Sequence, residues 1–342
     1  MINQIFENSF INSLINNFAR SPLQINKAHE SDAEIINVDD AHSLAVTTDS
    51  IVEEIETGLY KDSYLIGWMI VTVNLSDLAA VGSKPLGILI SEIIPTSYKE
   101  DDLQQLQAGI ADACRLSNTY VLGGDTNFGE KLILTGTALG TFPDKIFLTR
   151  TGCRPCQILY ATNKLGRGNA FAISEFFKTV KEKIDYFPFA RIKESEVIKK
   201  FAGACMDTSD GVISTLDQLM RLNEIGFELN EDWIYSIDTE SKTIAEKNGI
   251  PVWLLLAGQH GEFELLFTID QAVENKFLSD AKLINWQPIK LGKVISEPAI
   301  KINLYGKLQS INSFAIRNLS FNPKEGIHFY INSLLKIDRE MR

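Results

Sequence analysis

Cysteine and histidine are scarce in this 342-residue chain, with four of each. Cys114, Cys153, Cys156 and Cys205 are too few and too scattered for a disulfide framework. Cys153 and Cys156 form one C-x-x-C pair, but no second pair accompanies it and no thioredoxin-like context precedes it. No His-x-x-x-His or mixed Cys/His ligand spacing occurs, which argues against zinc catalysis, and His328 taken alone reads as structural. Apolar runs fall short of the roughly 18 residues of a membrane span. The opening MINQIFENSFINSL has neither a basic leader nor a long apolar core, so the expectation is a cytoplasmic protein with no membrane partner. Positive charge is also short: 33 Lys and Arg stand against 44 Asp and Glu, a net charge of −11. That balance argues against a nucleic-acid partner and suits sites that collect cations.

The remaining composition, 45% hydrophobic and 23% charged, is that of a folded globular protein long enough for two domains. The most informative stretch runs from Gly67 to Gly87, GWMIVTVNLSDLAAVGSKPLG. It reads as one long buried helix, and a carboxylate inside it, Asp77, requires a cation or several donors. The alternative is a strand followed by a helix that Ser76 or Asp77 caps. The same arrangement recurs at Asp49 after Leu44 to Val46, at Asp125 after Tyr120 to Leu122, and at Asp210 after Met206 to Ser209. Four acids at the ends of apolar segments, with few His or Cys, describe a hard oxygen site for Mg2+. Such a site suits phosphoryl transfer.

Around these acids the pattern predicts a helix within the first thirty residues, with Ile5, Phe6, Phe10, Leu14 and Phe18 on a buried face. Two strands follow, Glu34 to Val38 and Leu44 to Thr48, joined by an Asp39-Asp40 turn and bringing Asp32 and Asp49 to related ends. A strand spans Ile88 to Ile94, and a helix begins near Tyr98 with Glu100, Asp101 and Asp102 matching its dipole. Gly123 and Gly124 form either a hairpin turn or a close approach to phosphate. The G-R-G-N turn at Gly166 to Asn169 is an incomplete G-x-G-x-x-G and reads as a tight turn; no Walker loop is present. A charged and aromatic connector runs from Lys178 to Arg191, and a helix is expected around Val197 to Ala204. Ser209 or Asp210 could cap the helix that follows. Glu262 and Glu264 alternate with apolar residues as on a half-exposed strand.

Taken together, TTDSIVEE, IGWMIVTVNLSDLAAVGSKP, LGGDT, ALGTF with LTRTGCRP, MDTSDGV, GEFELLFT and GIHF resemble thiamine-monophosphate kinase. That family belongs to the superfamily of aminoimidazole ribonucleotide synthetase and selenophosphate synthetase. The order and rough spacing match over nearly the whole chain. The resemblance implies a two-domain α/β fold, with an N-terminal domain (1–145) that binds ATP and Mg2+ and dimerises into a β-barrel, and a C-terminal α/β domain (146–342). It implies a homodimer acting on a small molecule, transferring the γ-phosphoryl group of ATP to thiamine monophosphate. By that resemblance Asp32, Asp49, Asp77, Asp125 and Asp210 bind metal. Thr48, Gly123, Gly124, Asp125, Arg150 and Ser209 meet ATP, Asp210 and Arg150 serve catalysis, and Glu56, Asp210 and Glu262 line the substrate.

The departures bear on the acceptor. Glu30, Ser31 and Asp32 stand where the family carries Gly-Asp-Asp, so one expected metal acid is a serine. Glu56 stands where a histidine is expected beside the substrate phosphate, and a carboxylate there repels phosphate. Gln259 to Leu265 replaces Gly-Gly-Glu-Asp-Tyr-Glu-Leu. Two alternatives follow: a superfamily enzyme phosphorylating another molecule, neutral or cationic near Glu56, or a non-catalytic nucleotide-binding dimer.

Overall fold

The computed structural model describes residues 5–177, 183–319 and 326–342. Of the connector expected from Lys178 to Arg191, residues 178–182 lie outside that set. In chain order the elements are α1 (Phe6–Ile15), β1 (Glu34–Asn37), β2 (Ser43–Ile51), α2 (Glu53–Glu56), α3 (Ser63–Ala80), β3 (Lys84–Pro95), α4 (Glu100–Leu116), β4 (Val121–Gly129) and β5 (Ile133–Thr141). They continue with β6 (Ile158–Ala161), α5 (Arg167–Phe176), α6 (Ile192–Ile198), β7 (Ala202–Asp207), α7 (Val212–Asn223), β8 (Gly226–Leu229), α8 (Thr239–Lys247) and α9 (Leu254–Ala257). The last are β9 (Leu265–Ile269), α10 (Glu274–Leu283), β10 (Ile289–Ile295), β11 (Ile300–Leu304), β12 (Lys307–Ser310), α11 (Ser313–Leu319) and α12 (Gly326–Met341). The fold is mixed α/β with two open sheets, and the chain divides into two compact units.

The N-terminal unit comprises Leu23–Thr149 with Phe187–Lys200. Its sheet has the order β1-β2-β5-β3-β4, antiparallel except for the parallel pair β3 and β4. Helix α3 packs on β2, β5 and β3, and α4 packs on α3. Alternate β5 residues Leu134, Gly136, Ala138 and Gly140 are buried, as expected of a sheet covered on one face. Asp62 caps α3, accepting from Leu65 N at 2.8 Å, so Ser76 and Asp77 lie inside a continuous helix and the capping alternative falls. α3 is 18 residues long and apolar enough to span a bilayer, contrary to the expectation, yet 72% of it is buried in the fold as a core helix.

The glycine pair at 123 and 124 is not a hairpin turn, because β4 runs straight through it beside β3. A Cβ on Gly124 would lie 1.8 Å from Ile90 O, and Gly123 holds φ +151°. Both positions therefore have a backbone reason to be glycine.

The C-terminal unit comprises the chain up to Pro22, Arg150–Tyr186 and Phe201–Arg342. Its seven-stranded sheet has the order β12-β11-β8-β10-β6-β9-β7. The helix expected near Val197 to Ala204 ends at Ile198, and β7 begins at Ala202. α1 also differs from expectation, since Phe6, Phe10, Leu14 and Phe18 face outward. Its inward register is set by polar groups: Asn8 Nδ2 donates to Gln218 Oε1 at 3.0 Å, and Glu7 pairs with Arg317 at 3.0 Å.

The contact between α3 and α4 depends on two glycines: a Cβ on Gly67 would meet Leu106 O at 1.9 Å, and one on Gly109 would meet Tyr64 O at 2.0 Å. Gly67→Ala is expected to lower stability by about 1–3 kcal/mol through overpacking. A urea titration checks this: the midpoint falls with the slope kept, and an unchanged midpoint would show that the helices can part at no cost.

Candidate active site

Two sequence periods bring four side chains together in the N-terminal unit. On β2, Thr47 and Asp49 are two apart and point to one side. On α3, Asn74 and Asp77 are three apart and share a face. Thr47 Oγ1 donates to Asp77 Oδ2 at 2.5 Å and Asp49 N donates to Asn74 Oδ1 at 3.0 Å, which sets the Asp49 and Asp77 side chains beside each other. Asn74 is fully buried, and its Nδ2 donates to Ile70 O at 2.9 Å. β5 passes so close that a Cβ on Gly136 would sit 2.3 Å from that nitrogen.

Asp32 joins this pair from the loop before β1, offering a carboxylate oxygen within 4.8 Å of one on Asp77. Burial raises the pKa of Asp49 above the usual carboxylate range; the Asp77 side chain opposes this and the Asp32 charge adds to it. Glu54, on α2, is raised by burial and by the charges of Glu53 and Asp49. Acids crowded in this way offer the kind of oxygen donors that a hard divalent cation takes, and such a cation would relieve their repulsion. Ser31, in the place of an expected metal acid, instead braces the loop: its hydroxyl accepts from Asn26 Nδ2 at 2.7 Å and donates to Ala33 O at 2.8 Å.

Other expected residues lie apart from this cluster. Thr48 turns to the other face of β2, where its hydroxyl donates to Gly136 O at 2.7 Å. Asp125 is exposed on the edge strand β4, three strands from β2, or about 14 Å across the sheet. Within one chain it does not share an ion with Asp49. Glu56 is paired with Lys131 at 2.7 Å, which offsets the charge expected to repel phosphate.

In the C-terminal unit, Asp207 is buried at the end of β7 and accepts from Ser209 Oγ at 2.8 Å and Ser209 N at 3.3 Å. Asp210 next to them is exposed. α7 starts after Gly211 without a side-chain cap, so neither Ser209 nor Asp210 is a capping residue. Arg150 opens this unit, half-buried, its carbonyl bonded to Asn223 Nδ2 at 2.8 Å. Glu262 and Glu264 are both buried, contrary to the half-exposed strand expected. Thr162 Oγ1 donates to Glu264 Oε2 at 2.5 Å, and Gly166 N donates to Glu262 Oε2 at 2.8 Å. The G-R-G-N turn thus gives its N–H groups to the chain's own Glu262 at the start of α5.

A family profile described as AIR synthase related protein, N-terminal domain, matches residues 30–142. The thiamine-monophosphate kinase of Methanocaldococcus jannaschii is 30% identical over 294 residues, covering 79% of this chain and 88% of that one. This chain belongs to the thiamine-monophosphate kinase family. Two solved structures share the fold at 22% identity. They are the thiamine monophosphate kinase of Aquifex aeolicus (TM-score 0.70, 89% of this chain and 98% of that one) and AaThiL complexed with AMPPCP and TMP (TM-score 0.72, 91% and 98%).

Within this family member, sequence reasoning passed over Thr47, Asn74, Glu54 and Asp207. Asn74 had a legible signal, a lone amide three residues before Asp77 in an apolar helix. Asp207 had one too, three residues before Asp210.

Burial pushes Glu262 up to about 8; the Glu264 charge adds, and the N–H groups of Gly166, Gly168 and Arg167 oppose. A raised folded pKa means that this group's stabilising contribution is complete below the ordinary value and is lost as pH climbs through the folded one. Unfolding free energy is therefore expected to fall between about pH 5 and 8 relative to Glu262→Gln, by up to about 1.4 kcal/mol per pH unit. Parallel curves for the two proteins would contradict the assignment.

Proposed function

We propose that this protein is an ATP- and Mg2+-dependent kinase that moves the γ-phosphoryl group of ATP onto the phosphate of thiamine monophosphate, releasing thiamine diphosphate and ADP. The observation that carries this reading is the convergence of Asp32, Asp49 and Asp77 in a chain that belongs to this kinase family. AMPPCP and TMP bound together in a structure of the same fold support the substrate pair. In the reaction an oxygen of the acceptor phosphate forms the new P–O bond while the bond to the β-phosphate oxygen of ATP breaks; no enzyme nucleophile is required. Asp32, Asp49 and Asp77 would hold the magnesium, with Thr47 and Asn74 fixing two of them. Bound there, Mg2+ would neutralise charge on the transferring phosphates.

In this reading the N-terminal 145 residues carry the metal, nucleotide and dimer contacts. Asp125, with Gly123 and Gly124 beside it, serves the site of a second copy. Two features favour that dimer: β4 is an edge strand of its sheet, and it exposes Val121, Leu122 and Phe128, the last at 76%. A bare apolar edge strand is a pairing surface unless it is covered, and two such sheets facing each other would make the expected barrel. Thr48 and Ser209 would contact ATP, Arg150 would clamp phosphate, and Asp210 would bind metal and serve catalysis. Glu262 would border the substrate, and a cytoplasmic setting fits a small-molecule kinase of this kind.

Purified protein with Mg2+ and ATP is expected to release ADP only when thiamine monophosphate is present, in a coupled assay. Asp77→Asn should cut that rate by at least about a hundredfold while circular dichroism stays unchanged. Undiminished turnover in the variant would remove the metal assignment.

A further inference from the structure

The acceptor in the reaction proposed above carries a phosphate, and the α2 side of the N-terminal unit is a poor place to bring one. Glu53, Glu54 and Glu56 crowd one helical turn directly after β2, next to Asp49. Acidic side chains dominate that strand end, which disfavours an incoming phosphate unless a cation is built into the edge. Lys131, in the turn before β5, supplies one: its Nζ lies 2.7 Å from Glu56 Oε1 across 75 residues of sequence. β2 and β5 are paired as far as Ile51 and Leu134, so Glu56 and Lys131 leave the same end of that ladder, just past Ser50 and Asp49.

We propose that Lys131 holds the acceptor's phosphate, and that Glu56 serves as the positioning residue for its ammonium group. An ammonium has three hydrogens to donate, and Glu56 takes one. The Lys131 side chain is 66% exposed, leaving the others accessible to a ligand. Glu56, itself 45% exposed, raises the Lys131 pKa further above its ordinary value through their hydrogen bond. A pair this open contributes little to stability. Glu56 occupies the position where the family resemblance leads one to expect a histidine, and Lys131 restores from another strand end the positive charge that Glu56 removes. This inference rests on the kinase reading and narrows it, since the carboxylate no longer argues for a neutral or cationic acceptor.

The test compares wild type, Lys131→Ala, Glu56→Gln and the double variant Lys131→Ala/Glu56→His. Titration calorimetry gives binding of thiamine monophosphate, and steady-state kinetics give KM for it and for ATP. Lys131→Ala is expected to weaken thiamine monophosphate by about tenfold in both readouts, the loss of one charge-assisted contact, with the KM for ATP unchanged. Glu56→Gln should weaken it less, and the double variant should recover part of the loss. Unaltered binding in Lys131→Ala, or an equal loss toward ATP, would overturn the assignment while the kinase reading stands. Wild type that neither binds nor turns over thiamine monophosphate would overturn both.

Discussion

The hydrogen bond from the Asp49 backbone to the Asn74 side chain, 3.0 Å long, ties a sheet to the helix that covers it. Asn74 is fully buried, and a buried amide is tolerated only when its hydrogen-bonding groups are met. Here they are met by β2 and by the helix's own Ile70 carbonyl. Gly136 is the price of admission for that amide, since any side chain on β5 would occupy its space. Fixing Asn74 fixes the register of β2 on α3, and with it the approach of Asp49 and Thr47 to Asp77. The acids are thus held together by neutral groups, which a cluster of like charges needs if it is to persist without its counter-ion.

Much of this was legible in the sequence. The long helix around Asp77, the strand pair before it and the acids at the ends of apolar runs all follow from periodicity and composition. Strand partnership was not legible: the Gly123-Gly124 pair looks like a hairpin turn, yet β3 lies between β4 and β5, and no local signal reports a neighbour that comes from earlier in the chain. The outward face of α1 was hidden for a related reason. Phe6, Phe10 and Leu14 form a fair apolar stripe, but the polar bonds of Glu7 and Asn8 to Arg317 and Gln218 turn the helix the other way, and those partners are some 200 to 310 residues distant.

The departures from the family pattern acquire physical content in the same way. Ser31 is a brace for the Asp32 loop rather than a missing ligand. Glu56 is half of an ion pair whose other half no motif would have indicated. Glu262 fills the glycine turn that resembles a phosphate loop, so that turn is closed by the protein itself. In each case a residue that looks like a lost function in one dimension is bonded to a specific partner in three.

The proposed function turns on Asp32, Asp49 and Asp77 together holding a divalent ion. Crystals soaked in Mn2+ in place of Mg2+ test this most directly, because anomalous scattering locates the ion without reference to activity. The account predicts an anomalous peak in contact with the carboxylates of Asp49 and Asp77. A well-ordered site with no peak there, at a Mn2+ concentration that supports ATP turnover, would contradict it.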